Sequence, residues 1–266
     1  MQTLTAAAVD VLTTASPAEK ISRTHQAALA WCQGKLTEIG NTPAPRRPAR
    51  PERPALLSPR DMPKRRAGGG RNTRAALLHA LAHIELNAID LAWDLIARFA
   101  SEDLPRAFFD DWVAVADEEA THHQLLSTRL SELGASYGDF PAHDGLWEAA
   151  NETVRDLLAR LAVVPLVLEA RGLDVTPVMI ARLETAGDAR SAEILGMIYR
   201  DEIEHVAAGQ RWFTWEAGRR GVDPLAAYHS LVRAHFKAAL KPPFNDAART
   251  EAGLQRHFYA PLAAPS

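Results

Sequence analysis

Two Glu-x-x-His triplets, Glu119 with His122 and Glu202 with His205, constrain the fold of this chain more than any other feature. On a helix, positions i and i+3 share a face, so each triplet can aim a carboxylate and an imidazole at one ion. A single triplet carries little information. Here each follows a glutamate at nearly the same distance: Glu85 lies 34 residues before Glu119, and Glu169 lies 33 residues before Glu202. Two long antiparallel helices and a short turn consume that interval, so the sequence reads as two similar helical hairpins. The 47 residues from His122 to Glu169 suffice to return along a bundle and start the second hairpin in register.

Helix punctuation supports an all-α chain. Ser16-Pro17-x-Glu19 is a capping box with proline at the first helical position, and Gly40 is expected to end that helix. Helices are predicted over 71–100 and 103–133, the second stopped by Gly134, and over 146–171, where Pro165 should kink the helix by freeing the carbonyl of Leu161. Thr176-Pro177 is read as the start of a short helix ending near Gly187, Asp188 as the start of a long one to Arg219, and Asp223-Pro224 as the start of another that Lys241-Pro242-Pro243 ends. The tail from Phe244 is expected to be irregular or briefly helical.

The candidate ligands fall in apolar surroundings. Glu85 sits among Leu78, Leu81, Ala82, Ala88, Ile89 and Ala92, and Glu169 follows the apolar run from Leu161 to Leu168. An unpaired carboxylate there is costly, and normally it is neutralised, paired or bound to metal. Four glutamates match the charge of two divalent cations. Oxygen and imidazole donors suit iron or manganese, and the single cysteine, Cys32, excludes a thiolate-rich zinc or iron–sulfur site and any disulfide framework.

One Glu from each of two helices plus Glu-x-x-His from the other two resembles the ferritin-like di-iron carboxylate proteins. The segments His79–Glu85, Tyr137–Gly145, Leu168–Asp174 and Lys241–Asn245 resemble a bacterial ferritin-like family of unknown function. The resemblance implies a ferritin-like four-helix bundle with one long crossover, over residues 71–220. It also implies a six-ligand site of Glu85, Glu119, His122, Glu169, Glu202 and His205, with Glu119 and Glu202 bridging and Glu85 and Glu169 terminal. Residues 1–41 and 221–266 are then helical extensions, and residues 42–70 a linker or strap.

Other polar residues are assigned around that site. Asp117 and Asp201 are candidates to accept a proton from a ligand histidine. Tyr199 is read as a core or redox tyrosine, and Arg171 as a residue supporting the ligands. Glu118, Glu204 and His123 are expected to face solvent or to stand one layer behind the ligands. His79, His83, Asn87, Asp90 and Asp94 form a separate i, i+4 stripe expected on an exposed face. His143 and Asp144 are read as loop and helix cap. Ala88, Gly172 and Gly209, each one turn from a ligand, are read as room beside the metals or as sites of close helix packing.

The net charge of −3 conceals an asymmetry. Between Thr42 and Arg66 lie seven Arg and one Lys against one Glu and one Asp, with seven of the 17 prolines. Such a stretch cannot build a core. It is expected to lie as a basic strap on the acidic body of its own chain, with an arm gripping nucleic acid as the alternative; no aromatic residues interleave for base stacking. With no apolar run near the ~18 residues needed to span a bilayer and no signal-peptide pattern at Met1–Ala8, a cytoplasmic protein without a membrane partner is expected.

The expected function is that of a di-iron oxidoreductase. It would use dioxygen on a small organic substrate as an oxidase or monooxygenase, with two metal ions per chain, iron foremost and manganese or a mixed pair as alternatives. Two other readings stand beside it: a ferroxidase or non-catalytic iron-binding protein, and a tRNA-hydroxylase-like enzyme reaching RNA through residues 42–66. The substrate, the electron donor and whether the chain forms a homodimer are left open at this point.

Overall fold

A computed structural model describes residues 3–58, 60–63, 70–100 and 103–264. Lys64, Arg65, Arg66, Gly68 and Gly69 of the basic stretch lie outside the described residues. Those described form helices, turns and two isolated β-bridges, Leu56 with Ala142 and Leu240 with Ala263, with no strand among them. The chain divides into two compact units, residues 1–147 and 148–266.

The first unit holds α1 (Leu4–Leu12), α2 (Pro17–Cys32), α3 (Arg71–Arg98) and α4 (Arg106–Glu132). The long helices α3 and α4 pack along one another, while α1 lies on α3 and α2 on α4. Ser16 caps α2 by accepting from the amide of Glu19 at 3.4 Å. That helix ends at Cys32, earlier than Gly40, because Gly34 takes the left-handed conformation that closes it. Gly40 serves a different turn, which returns the chain to the start of α1, where the amides of Leu4 and Thr5 bond the carbonyls of Glu38 and Ile39 at 2.9 Å.

Helix α3 has an 18-residue window of mean hydropathy 1.2, enough for a bilayer by composition, but 72% of that window is buried inside the protein. That burial matches the core helix of a soluble protein. Leu78, Leu86, Ile89 and Ile96 are wholly buried, and Trp93 donates to the Thr24 hydroxyl at 3.1 Å. Residues 42–58 run extended over this unit. The amide of Ala49 bonds Leu12, and Leu57 and Ala55 exchange bonds with Ala142 at 2.8 and 3.0 Å.

Helix α5 (Gly145–Asn151) leads into the second unit, which holds α6 (Leu157–Val163), a π-helical segment (Val164–Glu169), α7 (Ala170–Thr185), α8 (Ala189–Arg219) and α9 (Pro224–His235). Two short helices, α10 (Asp246–Glu251) and α11 (Arg256–Tyr259), follow in the tail. Helix α7 packs along α8, and α6 packs against α8 and α9.

The single helix expected over 146–171 is instead interrupted at residues 152–156. Asp156 caps α6 by accepting from Leu158 at 3.0 Å, and buried Arg160 donates to the Thr153 hydroxyl and the Ala150 carbonyl, both at 2.9 Å. Those bonds satisfy the turn and stabilise the break. Pro165 does not simply kink the helix: the backbone widens into the π segment, where the amide of Ala170 reaches back to Pro165. Nor does Pro177 start a helix, since it lies inside α7. Having no N–H, it leaves the Leu173 carbonyl free four residues earlier, and the side-chain amide of Asn245 fills that carbonyl at 3.1 Å.

Candidate metal centre

The first unit brings three of the expected ligands together. Glu85 from mid-α3 and Glu119 and His122 from mid-α4 each offer a ligand atom, and these atoms lie within 4.8 Å of one another. All three residues are at most 3% exposed. The i, i+3 spacing puts Glu119 Oε2 3.4 Å from His122 Nδ1, and the packing of α3 along α4 supplies Glu85. Oxygen and imidazole donors without sulfur fit a divalent iron or manganese ion.

The second unit carries the repeat of this pattern. Glu202 and His205 share a face of α8, with Oε2 and Nδ1 3.9 Å apart and His205 1% exposed. Glu169 is the last residue of the π segment. Glu118 and Glu204 face solvent, as their positions around α4 and α8 require.

The polar stripe on α3 departs from expectation. His79, His83, Asn87, Asp90 and Asp94 are all buried, because the strap and the loop after α4 cover them. Arg50 of the strap pairs with Asp90 and donates to Asn87 Oδ1 at 2.5 Å, while Lys20 of α2, itself wholly buried, reaches Asp90 at 2.5 Å. Arg98 pairs with Asp94 and donates to the Pro45 carbonyl at 2.9 Å. Arg47 pairs with Asp144, which binds the strap rather than capping a helix. The strap therefore lies on its own body. A run of acidic and amide residues facing a run of arginines was the available signal, but nothing in the sequence marked Lys20.

Three histidines and a tyrosine form a second buried cluster in the first unit. Tyr137 stacks on His79 with centroids 5.2 Å apart and meets the edge of His123 at 5.2 Å. Its hydroxyl lies 2.8 Å from His83 Nδ1. The other ring nitrogen of His83 lies 3.2 Å from the His143 carbonyl, which can only accept. So Nε2 carries the proton, Nδ1 is bare, and Tyr137 donates. Burial pushes His83 down to about 4, with the Arg50 guanidinium adding to the shift, and burial also pushes His123 down to about 4. His79 is lowered as well, chiefly by burial. These three imidazoles are thus neutral at pH 7.

The supporting residues take other partners. Asp117 pairs with His25 at 2.6 Å, at the protein surface. Tyr199 accepts from Asn245 at 2.9 Å, and burial holds its phenol above its ordinary range. Arg171 donates to the Lys241 carbonyl at 2.7 Å and joins Asp174, tying the tail to α7. Asp201 is half-buried on α8. Gly209 offers no spare room, since a Cβ there would lie 2.3 Å from Pro165 Cβ, whereas a Cβ at Gly172 would meet nothing within 4 Å.

The structure defines an all-helical protein with a buried carboxylate–imidazole cluster between two packed helices of its first unit. By sequence, the chain belongs to the family described as a protein of unknown function, DUF455, whose pattern matches residues 13–260. It is 44% identical over 212 residues to an uncharacterised protein of Haemophilus influenzae, covering 78% of this chain and 73% of that one. No solved structure matches it.

Proposed function

We propose that this protein is a ferritin-like dimetal carboxylate protein that uses dioxygen to oxidise a small organic substrate. The observation that carries the reading is the buried triad Glu85, Glu119 and His122, with ligand atoms within 4.8 Å of one another. The same residue types recur as Glu169, Glu202 and His205 at matching sequence spacing, so the two sets would hold two metal ions per chain, iron first and manganese or a mixed pair next.

A metal pair held by carboxylates supplies the electrons that reduce dioxygen. The chain's own residues set the conditions for it. Four glutamates balance the charge of two divalent ions, so cations relieve the cost of burying those carboxylates. His122 and His205 would each hold a metal ion through a ring nitrogen. The tight walls of α3 and α4 exclude bulk water from Glu119.

The test is metal content after expression with iron or manganese, followed by anaerobic Fe(II) addition and then oxygen under a spectrometer. The expected result is about two metals per chain with a transient visible band on oxygen addition, both lost in Glu119→Ala/Glu202→Ala. No stoichiometric metal under either supplement would sink the reading. Stable accumulation of mineralised iron without oxygen-coupled turnover would replace the oxidase with a ferroxidase.

A further inference from the structure

Glu169 differs from the other expected ligands in standing at the end of a π segment, not inside a regular α-helix. A π turn carries one more residue than an α turn, which rotates every later side chain by about 100° around the axis. Where the Glu169 carboxylate points therefore depends on the wide turn over Val164–Glu169. Such turns are costly, and this one needs contacts that hold it.

Two are present. The first is a notch on α8. Gly209 sits one turn beyond His205, and the ring of Pro165 fills the space where its Cβ would be, 2.3 Å from Pro165 Cβ and 2.6 Å from Cγ. The second is a hydrogen bond from α9. Tyr228, wholly buried, donates its hydroxyl to the Leu166 carbonyl at 3.1 Å. Phe213 and Phe258 pack edge-on against its ring at 5.8 and 5.4 Å, so the hydroxyl has a fixed direction.

We infer that Tyr228, with the Gly209 notch, is a positioning residue for Glu169: its hydroxyl holds the π turn open and so aims the carboxylate at the metal. The inference rests on the dimetal reading proposed above. It gives a reason for a tyrosine that reaches 62 residues back in the chain to bond a main-chain carbonyl.

The experiment is a Co(II) titration of the metal-free full-length chain, read by visible ligand-field absorption and by stoichiometry, with thermal melting alongside. The variants are Tyr228→Phe, Gly209→Ala, Glu169→Ala as the benchmark, and Tyr259→Phe as a control. Tyr259 is a second buried tyrosine of the same unit, whose hydroxyl donates to Asp246 at 2.6 Å rather than to the π segment. Tyr228→Phe is expected to keep the helical signal and to bind one of two Co(II) ions at least about tenfold more weakly, with a changed band. Gly209→Ala should follow it, and Glu169→Ala should lose that ion outright. Tyr259→Phe should lower the melting temperature and leave both ions and the band unchanged.

Wild-type binding and spectrum in Tyr228→Phe would overturn the inference while leaving the dimetal reading intact. A wild-type chain that takes up no cobalt, iron or manganese would overturn both.

Discussion

Asp174 and Arg249, 75 residues apart, form a two-pronged buried ion pair, with Nε 2.8 Å from Oδ1 and Nη2 2.7 Å from Oδ2. The guanidinium also lies over the rings of Phe244 and Tyr259, at 5.1 and 4.5 Å, and reaches the Ala170 carbonyl at 3.2 Å. This pair is the buried anchor of the tail on α7, beside the bonds of Arg171 to the Lys241 carbonyl and of Asn245 to the Leu173 carbonyl. Replacing Arg249 by Met removes one member of a buried pair and is expected to cost about 3–5 kcal/mol in chemical denaturation. Arg256→Met, at a pair whose side chains are 67% and 47% exposed, is expected to change stability by no more than about 0.5 kcal/mol. Equal losses at the two sites would refute this account of the tail.

A second expectation concerns pH. Burial drops His83 from 6.5 to about 4 in the folded protein. In the unfolded chain it takes up a proton below about 6.5, so between those values the unfolded state binds more protons. The stabilisation is therefore fully present above pH 6.5 and is lost as pH falls toward 4. His123 acts in the same window and His79 in the same direction. For His83 alone the swing is on the order of 3 kcal/mol. Metal-free protein followed by urea denaturation from pH 8 to pH 4 should show it, and His83→Gln should flatten the curve. A slope as steep in His83→Gln as in the wild type would assign it to other groups, His123 and His79 first.

The strap makes a third case. Arg50 bonds Asp90 and Asn87 on α3, where Lys20 already holds the other Asp90 oxygen. Arg46 and Arg60 stand exposed on either side. Arg50→Ala should loosen the strap and speed trypsin cleavage after Arg46 and Arg60 several-fold, with the helical signal retained. Lys20→Met should be the harsher change, about 3 kcal/mol, since it leaves a wholly buried carboxylate with one cation fewer. Unchanged trypsin kinetics in Arg50→Ala would mean that the strap's other contacts, Arg47 with Asp144, Arg98 with the Pro45 carbonyl and the bridge between Leu56 and Ala142, suffice to hold it.

What could be read in advance divides by the range of the interactions involved. Ser16, Asp188 and Asp223 cap their helices, each accepting from an amide three residues on, and such local bonds are visible as residue patterns. Glu85, Glu119 and His122 converge for the same reason: helical spacing and one hairpin place them. The burial of His79, His83, Asn87, Asp90 and Asp94 was legible only as a charge match between the stripe and the arginines, because what covers them comes from the strap and from the loop of Tyr137, 30 to 60 residues away. Gly209 was half legible. A small residue one turn from His205 allows either space or close packing, and only the position of Pro165 decides for packing.

The same limit applies to Pro177, and it leads to a test of its own. A proline inside a helix normally costs about 3 kcal/mol, partly through the carbonyl it strands. Here Asn245 donates to that carbonyl, Leu173, from 72 residues away and also bonds the Tyr199 hydroxyl. If Asn245 compensates for the proline, the two positions must be coupled. Asn245→Ala alone is expected to cost about 1–3 kcal/mol, because a buried carbonyl loses its donor. Pro177→Ala supplies a main-chain N–H at the right place, so the same Asn245→Ala change made in that background should cost at least about 0.5 kcal/mol less. Denaturation of the wild type, both single variants and the double variant measures that difference directly. Strictly additive effects would show that Asn245 serves Tyr199 and the tail alone, and that α7 tolerates Pro177 by some other means.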